Sequence, residues 1–406
     1  MAFAGRSVEL KRILESENIG LKEFREACFQ GLDEAGLRPK CWRILLNCLP
    51  PQPARWSETL ASQRKSYQQW VQELIIYPGE GQDDEEQRHD ITQDDHPLNP
   101  NPQSNWSAYF KDNEVLLQID KDARRLYPDM CFFQRPTDYP VKMDASGNIT
   151  AAEYLRKRID RCVLKSAAVV KNRSGGWNIS GVSRKRTEYE NLSESEEAHW
   201  EVVERLLFIY AKLNPGQAYV QGMNEIIGPI YYTFSTDKDE TFREHAEADT
   251  FLCFTNLMGE IRDRFIKHLD ESASGIVSSM NNLMDLLKST DHVLWTCLEG
   301  MDLKPQYYSF RWLTLMLSQE FALPEVLRLW DSLFADAERF DFLLYICCSM
   351  LVLIRDQLLE GDFATSMKLL QNYPNPDIHK ILVKATQLRK SRQIATGGSV
   401  TGIMIG

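Results

Sequence analysis

Leu323-Pro324-Glu325-Val326-Leu327-Arg328-Leu329-Trp330-Asp331-Ser332-Leu333-Phe334 sets its apolar residues three and four apart behind an early proline. Proline lacks the N–H that the first helical turn leaves unused, and this spacing gathers side chains onto one face, so the stretch predicts an amphipathic helix. The same period recurs in Leu206, Leu207, Ile209, Tyr210 and Leu213, and in Phe251, Phe254, Leu257, Ile261 and Phe265. Helix stops of the expected kind follow at Asn214-Pro215-Gly216 and at Asn372-Tyr373-Pro374-Asn375-Pro376. Strand-like alternation is scarce. The expectation is an all-α protein of roughly fifteen helices, and the lack of self-similarity at about 30 to 50 residues argues against a regular solenoid.

The chain has 406 residues, 43% of them apolar, with nine Trp and eighteen Phe, enough to bury a large core. A net charge of −11 argues against nucleic acid as a partner. The nine cysteines (Cys28, Cys41, Cys48, Cys131, Cys162, Cys253, Cys297, Cys347 and Cys348) are scattered without a C-x-x-C pair, which suits free, mostly buried thiols in a reducing compartment. The start, MAFAGRSVELKRILESENIG, is too charged for a secretory signal, and the longest apolar run, Phe342 to Ile354, stops short of the roughly 20 residues that cross a bilayer. These features predict a cytoplasmic protein, a monomer by default, whose membrane contact is indirect or peripheral.

Two stretches interrupt the helical pattern. Residues 79–104 carry eight acids between Glu80 and Asp95 against a single Arg and read as a solvated loop. Residues 136–198 mix loop-like sequence, a helical segment with a basic face (Arg156, Lys157, Arg158, Arg161 and Lys165), and a Ser-rich polar run around Ser193-Glu194-Ser195. That insertion admits two readings: tolerated surface, or a partner- or membrane-facing element.

The chemistry concentrates in two short strings. Ile119-Asp120-Lys121-Asp122-Ala123-Arg124-Arg125 has the spacing Ile-x-x-Asp-x-x-Arg, and Tyr219-Val220-Gln221 precedes Gly222-Met223-Asn224. On a helix Ile119, Asp122 and Arg125 fall within one side, with Asp122 and Arg125 as i,i+3 neighbours, so Asp122 can brace the guanidinium. Arginine suits a developing phosphate charge because its planar fork addresses two oxygens and its charge is permanent. The Gln221 amide both donates and accepts and can orient an attacking water. Gly222 next to it permits close backbone approach. Tyr219 reads as structural, fixing Gln221 by packing or by its hydroxyl, and Arg124 reads as a solvated charge. No phosphate-cradling glycine loop is present, so the chain is expected to complete the active site of a nucleotide-carrying partner rather than hold a nucleotide itself. The seven histidines show no metal-ligand spacing, so no metal and no resident cofactor are expected.

Other segments stand in order around these strings. Gly31-Leu32-Asp33-Glu34-Ala35-Gly36-Leu37-Arg38-Pro39-Lys40-Cys41-Trp42-Arg43-Ile44-Leu45-Leu46 reads as a turn leading into an apolar helix, and Arg311-Trp312-Leu313-Thr314-Leu315 precedes the opening stretch. The ordered set resembles the TBC domain, the fold of GTPase-activating proteins for Rab GTPases, over about residues 31–345. Leu126-Tyr127-Pro128 is similar to the family's Thr-Phe-Pro ending, with Leu126 where Thr is usual. The resemblance implies a V-shaped helical domain that binds a GTP-bound Rab small GTPase and supplies Arg125 and Gln221 as catalytic fingers in trans. Asp122, Tyr219, Ile119 and Gly222 would support them, and GTP and Mg²⁺ would be carried by the Rab. Such a protein is an activator acting in trans, not itself a hydrolase. The alternatives are a Rab-binding adaptor with little activity and a scaffold that uses the basic insertion. Around the 31–345 domain, residues 1–30 are expected as a helical extension, 346–388 as packed helices and 389–406 as a flexible tail. Trp42, Trp312, Trp330 and Asp331 read as fold-determining, and Arg38 either pairs with Asp33 or Glu34 or serves the groove.

Overall fold

Helical periodicity carries through to the architecture. The computed structural model describes residues 2–32, 36–75, 105–143, 150–160, 196–265, 275–374 and 377–395. The acidic stretch 79–104 and residues 33–35, 144–149 and 161–195 lie outside the described residues, and with them Asp33, Glu34, Arg161, Lys165 and the serines around Ser193. The helices run in the order α1 (Ala2–Leu14), α2 (Leu21–Phe29), α3 (Arg38–Leu45), α4 (Trp56–Leu74) and α5 (Asn105–Ala123). They continue with α6 (residues 151–160), α7 (His199–Leu213), α8 (Met223–Ser235), α9 (Glu240–Arg243), α10 (Ala246–Ile261), α11 (Ile276–Thr290) and α12 (His292–Gly300). The last are α13 (Ser309–Thr314), α14 (Leu323–Ala335), α15 (Arg339–Leu353), α16 (Arg355–Glu360), α17 (Phe363–Gln371) and α18 (Ile378–Ala395). No strand occurs among the described residues, only two isolated bridges, Pro136 with Ala198 and Lys142 with Thr150. The fold is all-α, and the eighteen helices among the described residues exceed the expected fifteen because α9, α13 and α16 are too short to display a period.

The chain divides into two compact units, Met1–Gln63 with Glu225–Gly406, and Arg64–Asn224. In the first unit the opening stretch forms α14, with Pro324 in its first turn as its position predicts. Its inner face buries Trp330 and Phe334 against Trp42 of α3, with ring centroids 6.1 Å and 5.0 Å from the Trp42 ring. Fully buried Asp331 is the polar hub of this core. It accepts bonds from Trp42 Nε1 at 2.9 Å and the Leu32 amide at 3.0 Å, and a two-point bond from Arg38 at 2.9 Å for each contact. Arg38 thus makes a long-range pairing with Asp331, whose carboxylate repays its desolvation by accepting from three directions; Asp33 and Glu34, its expected partners, lie outside the described residues. Gly31, at φ +105°, lies under Arg328 of α14, where a Cβ would stand 2.7 Å from Nε; only glycine meets both demands. Arg25 donates to the carbonyls of Phe334, Ala335 and Asp336 at 3.1 to 3.2 Å, satisfying acceptors that the end of α14 leaves unbonded.

Farther along this unit, α18 packs on α15 and extends to Ala395. The flexible tail expected from Arg389 thus starts too early: Arg389 donates to Asp336 at 2.6 Å and its guanidinium covers the Phe342 ring at 4.5 Å, which holds the final turns. All described cysteines are free; Cys131 is exposed and Cys297 half-buried, the others buried.

The second unit is built on α5 against α7, with α6 beside them. Here the expected basic face turns inward. Arg156 pairs with Glu201, and Arg158 sits buried over the rings of Tyr109 and Phe208 at 4.2 Å and 5.0 Å, donating to Asn113 and to the Tyr109 carbonyl. Lys157 stays exposed and is paired with Glu153 at 2.6 Å. A guanidinium enters a protein interior when aromatic faces and acceptors replace its water, and these residues supply both.

Candidate functional site

Helix α5 ends at Ala123, so Arg125 lies just beyond it rather than on a continuing helix. The amides of Arg125 and Leu126 bond three residues back, to Asp122 and Ala123 at 3.2 Å each, a tightened final turn. Tyr127 follows at φ +43° and Pro128 closes the exit. The i,i+3 pairing survives this change: Arg125 Nη2 donates to Asp122 Oδ1 at 2.6 Å and Arg125 Nε to the Lys121 carbonyl at 3.0 Å. The Arg125 side chain is 69% exposed and its brace Asp122 is 6% exposed, so a buried anion holds one edge of a cation whose other donors face outward. Ile119 is fully buried on the inner side of the same helix.

The second string forms the link between α7 and α8. Asn214 ends α7, its amide nitrogen and side chain both donating to the Tyr210 carbonyl. Ala218 at φ +56° and Gly222 at φ +102° bend the chain on either side of Tyr219-Val220-Gln221. The need for glycine at 222 is this backbone conformation, which L side chains rarely adopt. Gln221 is exposed, and its amide makes no hydrogen bond to a described residue.

Tyr219 is buried, and its hydroxyl goes to Asp122 Oδ2 at 2.8 Å, not to Gln221 as one reading of the sequence had it. Asn224 completes the arrangement. Its Nδ2 donates to the Asp122 carbonyl at 3.3 Å, and its Oδ1 lies 3.4 Å from the Tyr219 hydroxyl. Arg125, Asp122, Tyr219 and Asn224 thus form one hydrogen-bonded chain, with the residues on either side of Gln221 and Gly222 fastened to the brace of Arg125. Asn224 was missed as a site residue; its place in the string Tyr219 to Asn224 was the available signal, but the string alone does not say which way its amide points.

Arg124 also departs from expectation. Instead of lying in solvent, it donates from Nε to buried Asp120 at 2.8 Å and lies over the Trp200 ring of α7 at 4.2 Å. Glu204, one turn along α7 from Trp200, is buried, and its Oε1 makes no hydrogen bond to a described residue. Burial, reinforced by Asp120 and Glu201, pushes its carboxyl well above the usual range, against the pull of Arg124 and Arg205. Burial likewise lowers His199, at the start of α7, to about 4, partly opposed by Asp138. Among the described residues no group of three or more His, Cys, Asp or Glu is arranged to hold a metal ion.

An all-helical chain with a braced, outward-facing arginine, tied through its brace to the link that carries an exposed glutamine, belongs to a definable class. The Rab-GTPase-TBC domain model matches residues 182–359, and the chain belongs to that family. It is 56% identical to TBC1 domain family member 13 of Homo sapiens over 396 residues, 95% of this chain and 98% of that protein. It is 55% identical over the same length to TBC1 domain family member 13 of Mus musculus. In fold it is similar to the crystal structure of the Ypt/Rab-GAP domain of Gyp1p, with a TM-score of 0.65 at 20% identity, covering 97% of this chain and 99% of that one.

Proposed function

We propose that this chain is a GTPase-activating protein for Rab-family small GTPases, supplying Arg125 as an arginine finger and Gln221 as a glutamine finger in trans. Membership of the Rab-GTPase-TBC family supports both the partner class and the activity. The observation that carries the finger assignment is the Arg125-Asp122-Tyr219 chain, which braces an exposed guanidinium and ties it to the link that bears Gln221, whose exposed amide makes no hydrogen bond to a described residue. The Rab brings GTP and Mg²⁺. Arg125 meets charge developing on the transferred phosphoryl group, and Gln221 orients the attacking water or the loop that holds it. Activators of this kind raise hydrolysis by up to about 10⁵, roughly 7 kcal/mol of barrier to be divided between the two fingers and the ordering of the GTPase.

Both fingers lie on one copy, so the proposed active form is a monomer. Among the described residues no helix is long and apolar enough to cross a membrane. In this reading the chain acts from the cytoplasm and meets membranes through its Rab, ending a trafficking signal there. The test is single-turnover GTP hydrolysis across a panel of purified Rabs with the wild-type chain, Arg125→Ala and Gln221→Ala. Acceleration of one or a few Rabs that collapses in both variants is the expected result. Binding to GTP-loaded Rab without acceleration would make the chain an adaptor instead.

A further inference from the structure

Arg125 is carried by a turn that is weak on its own: the helix has ended, its last amides bond only three residues back, and its side chain is mostly exposed. Helix ends of this kind fray, and a frayed turn would leave the guanidinium without a fixed position. Next to it, Arg124 reaches back to buried Asp120 while its guanidinium carbon stands 4.2 Å from the ring centroid of buried Trp200. Trp200 belongs to α7, so these contacts join the end of α5 to a neighbouring helix. They use the residue immediately before the finger.

We propose that Arg124 is a positioning residue for Arg125: held between Asp120 and Trp200, it pins the last turn of α5 to α7 and so fixes where the finger emerges. The surrounding charges fit this role. Arg156 is matched with Glu201, Arg205 with Glu197, and Arg124 with Asp120, and Glu204 pairs with no guanidinium among the described residues. Burial disfavours the charged form of Glu204, which weakens its pull on Arg124. The cation is better over tryptophan than over any other ring, and the contact gains from being sheltered on the Trp200 side.

The inference rests on the proposed finger role of Arg125, and the experiment separates the two. GTP hydrolysis is measured against Rab concentration for the wild-type chain, Arg125→Ala, Arg124→Ala and Arg124→Lys, with amide hydrogen exchange followed over residues 121–127. Arg124→Ala is expected to lower kcat about tenfold with KM within about twofold, and to speed exchange in that segment. Arg124→Lys keeps a cation over Trp200 and a donor for Asp120, and is expected to recover kcat to within about threefold of wild type. Wild-type turnover in Arg124→Ala, with Arg125→Ala inactive, would overturn the inference and leave the finger assignment standing. A rise in KM at unchanged kcat would make Arg124 a Rab contact, and failure of lysine to rescue would reduce it to packing; either result overturns positioning. If the wild-type chain accelerates no Rab, the finger assignment fails and the role of Arg124 falls with it.

Discussion

Tyr219 donates its hydroxyl to Asp122 across 97 residues of sequence at 2.8 Å, and both groups are buried. Asp122 uses its other carboxylate oxygen to hold Arg125, so the tyrosine acts on the proposed finger through the aspartate. Tyr219→Phe removes one hydrogen bond to a buried charge and leaves the ring packing in place. Bonds of that type are worth about 1.5 to 3 kcal/mol, of which half expressed at the transition state is a loss of about three- to tenfold in kcat. KM for the responsive Rab should stay unchanged, because the substitution touches no exposed group. A steady-state comparison of the two chains decides it, and a loss confined to KM would place Tyr219 in binding instead.

Gly222→Ala tests the backbone rather than a side chain. At φ +102° an alanine costs about 1 to 3 kcal/mol of strain unless the link between α7 and α8 shifts. Either response displaces Gln221. The expected outcome is a small drop in melting temperature together with a loss of turnover close to that of Gln221→Ala, while Rab binding persists. Full turnover in Gly222→Ala would mean that the position of Gln221 does not depend on this turn.

Local patterns were legible in the sequence, and long-range ones were not. The α14 stretch declared itself because thirteen residues show several helical turns, whereas α9, with four, shows barely one. The pairing of Asp122 with Arg125 followed from i,i+3 spacing and held even though the helix ended before Arg125. Arg156, Arg158 and Arg124 were placed outside because an isolated arginine prefers water. Each is turned inward by acceptors or rings that the fold brings from elsewhere: Glu201 and Asn113, each 45 residues away, and Trp200 on another helix. The same limit applies to Arg38, which also pairs with Asp331, 293 residues away.

His199 gives the fold a dependence on pH. It stacks on Phe132 at 4.2 Å, and burial holds its pKa at about 4. Below about pH 6.5 the unfolded chain takes up a proton at this residue while the folded chain does not, so stability falls with pH from there down to about 4. The contribution lost between pH 7 and pH 5 is on the order of 1 to 2 kcal/mol. His199→Phe keeps an aromatic face for the stack and cannot be protonated. Urea midpoints at the two pH values should therefore lie closer together in the variant. An equal spread in both chains would show that His199 is free to charge in the folded state.

Glu204 has the opposite sign. It faces Asp120 and Arg124 from α5 and Glu201 and Arg205 from its own helix, and burial raises its pKa well above 4.5. In the unfolded chain the carboxyl loses its proton as pH rises through the ordinary value, while the folded chain retains it. The stability this residue allows is thus fully present in acid and declines as pH rises toward the folded pKa. Glu204→Gln keeps the shape and stays neutral at every pH. The variant should match the wild type near pH 4 and melt higher at pH 8, with Rab-stimulated turnover at pH 8 at least equal to wild type because Arg124 remains on Asp120. Thermal unfolding at both pH values distinguishes this from the alternative in which Glu204 is an ionised partner of Arg124 or Arg205. In that case the glutamine would break a buried ion pair, and the variant would melt lower at pH 8.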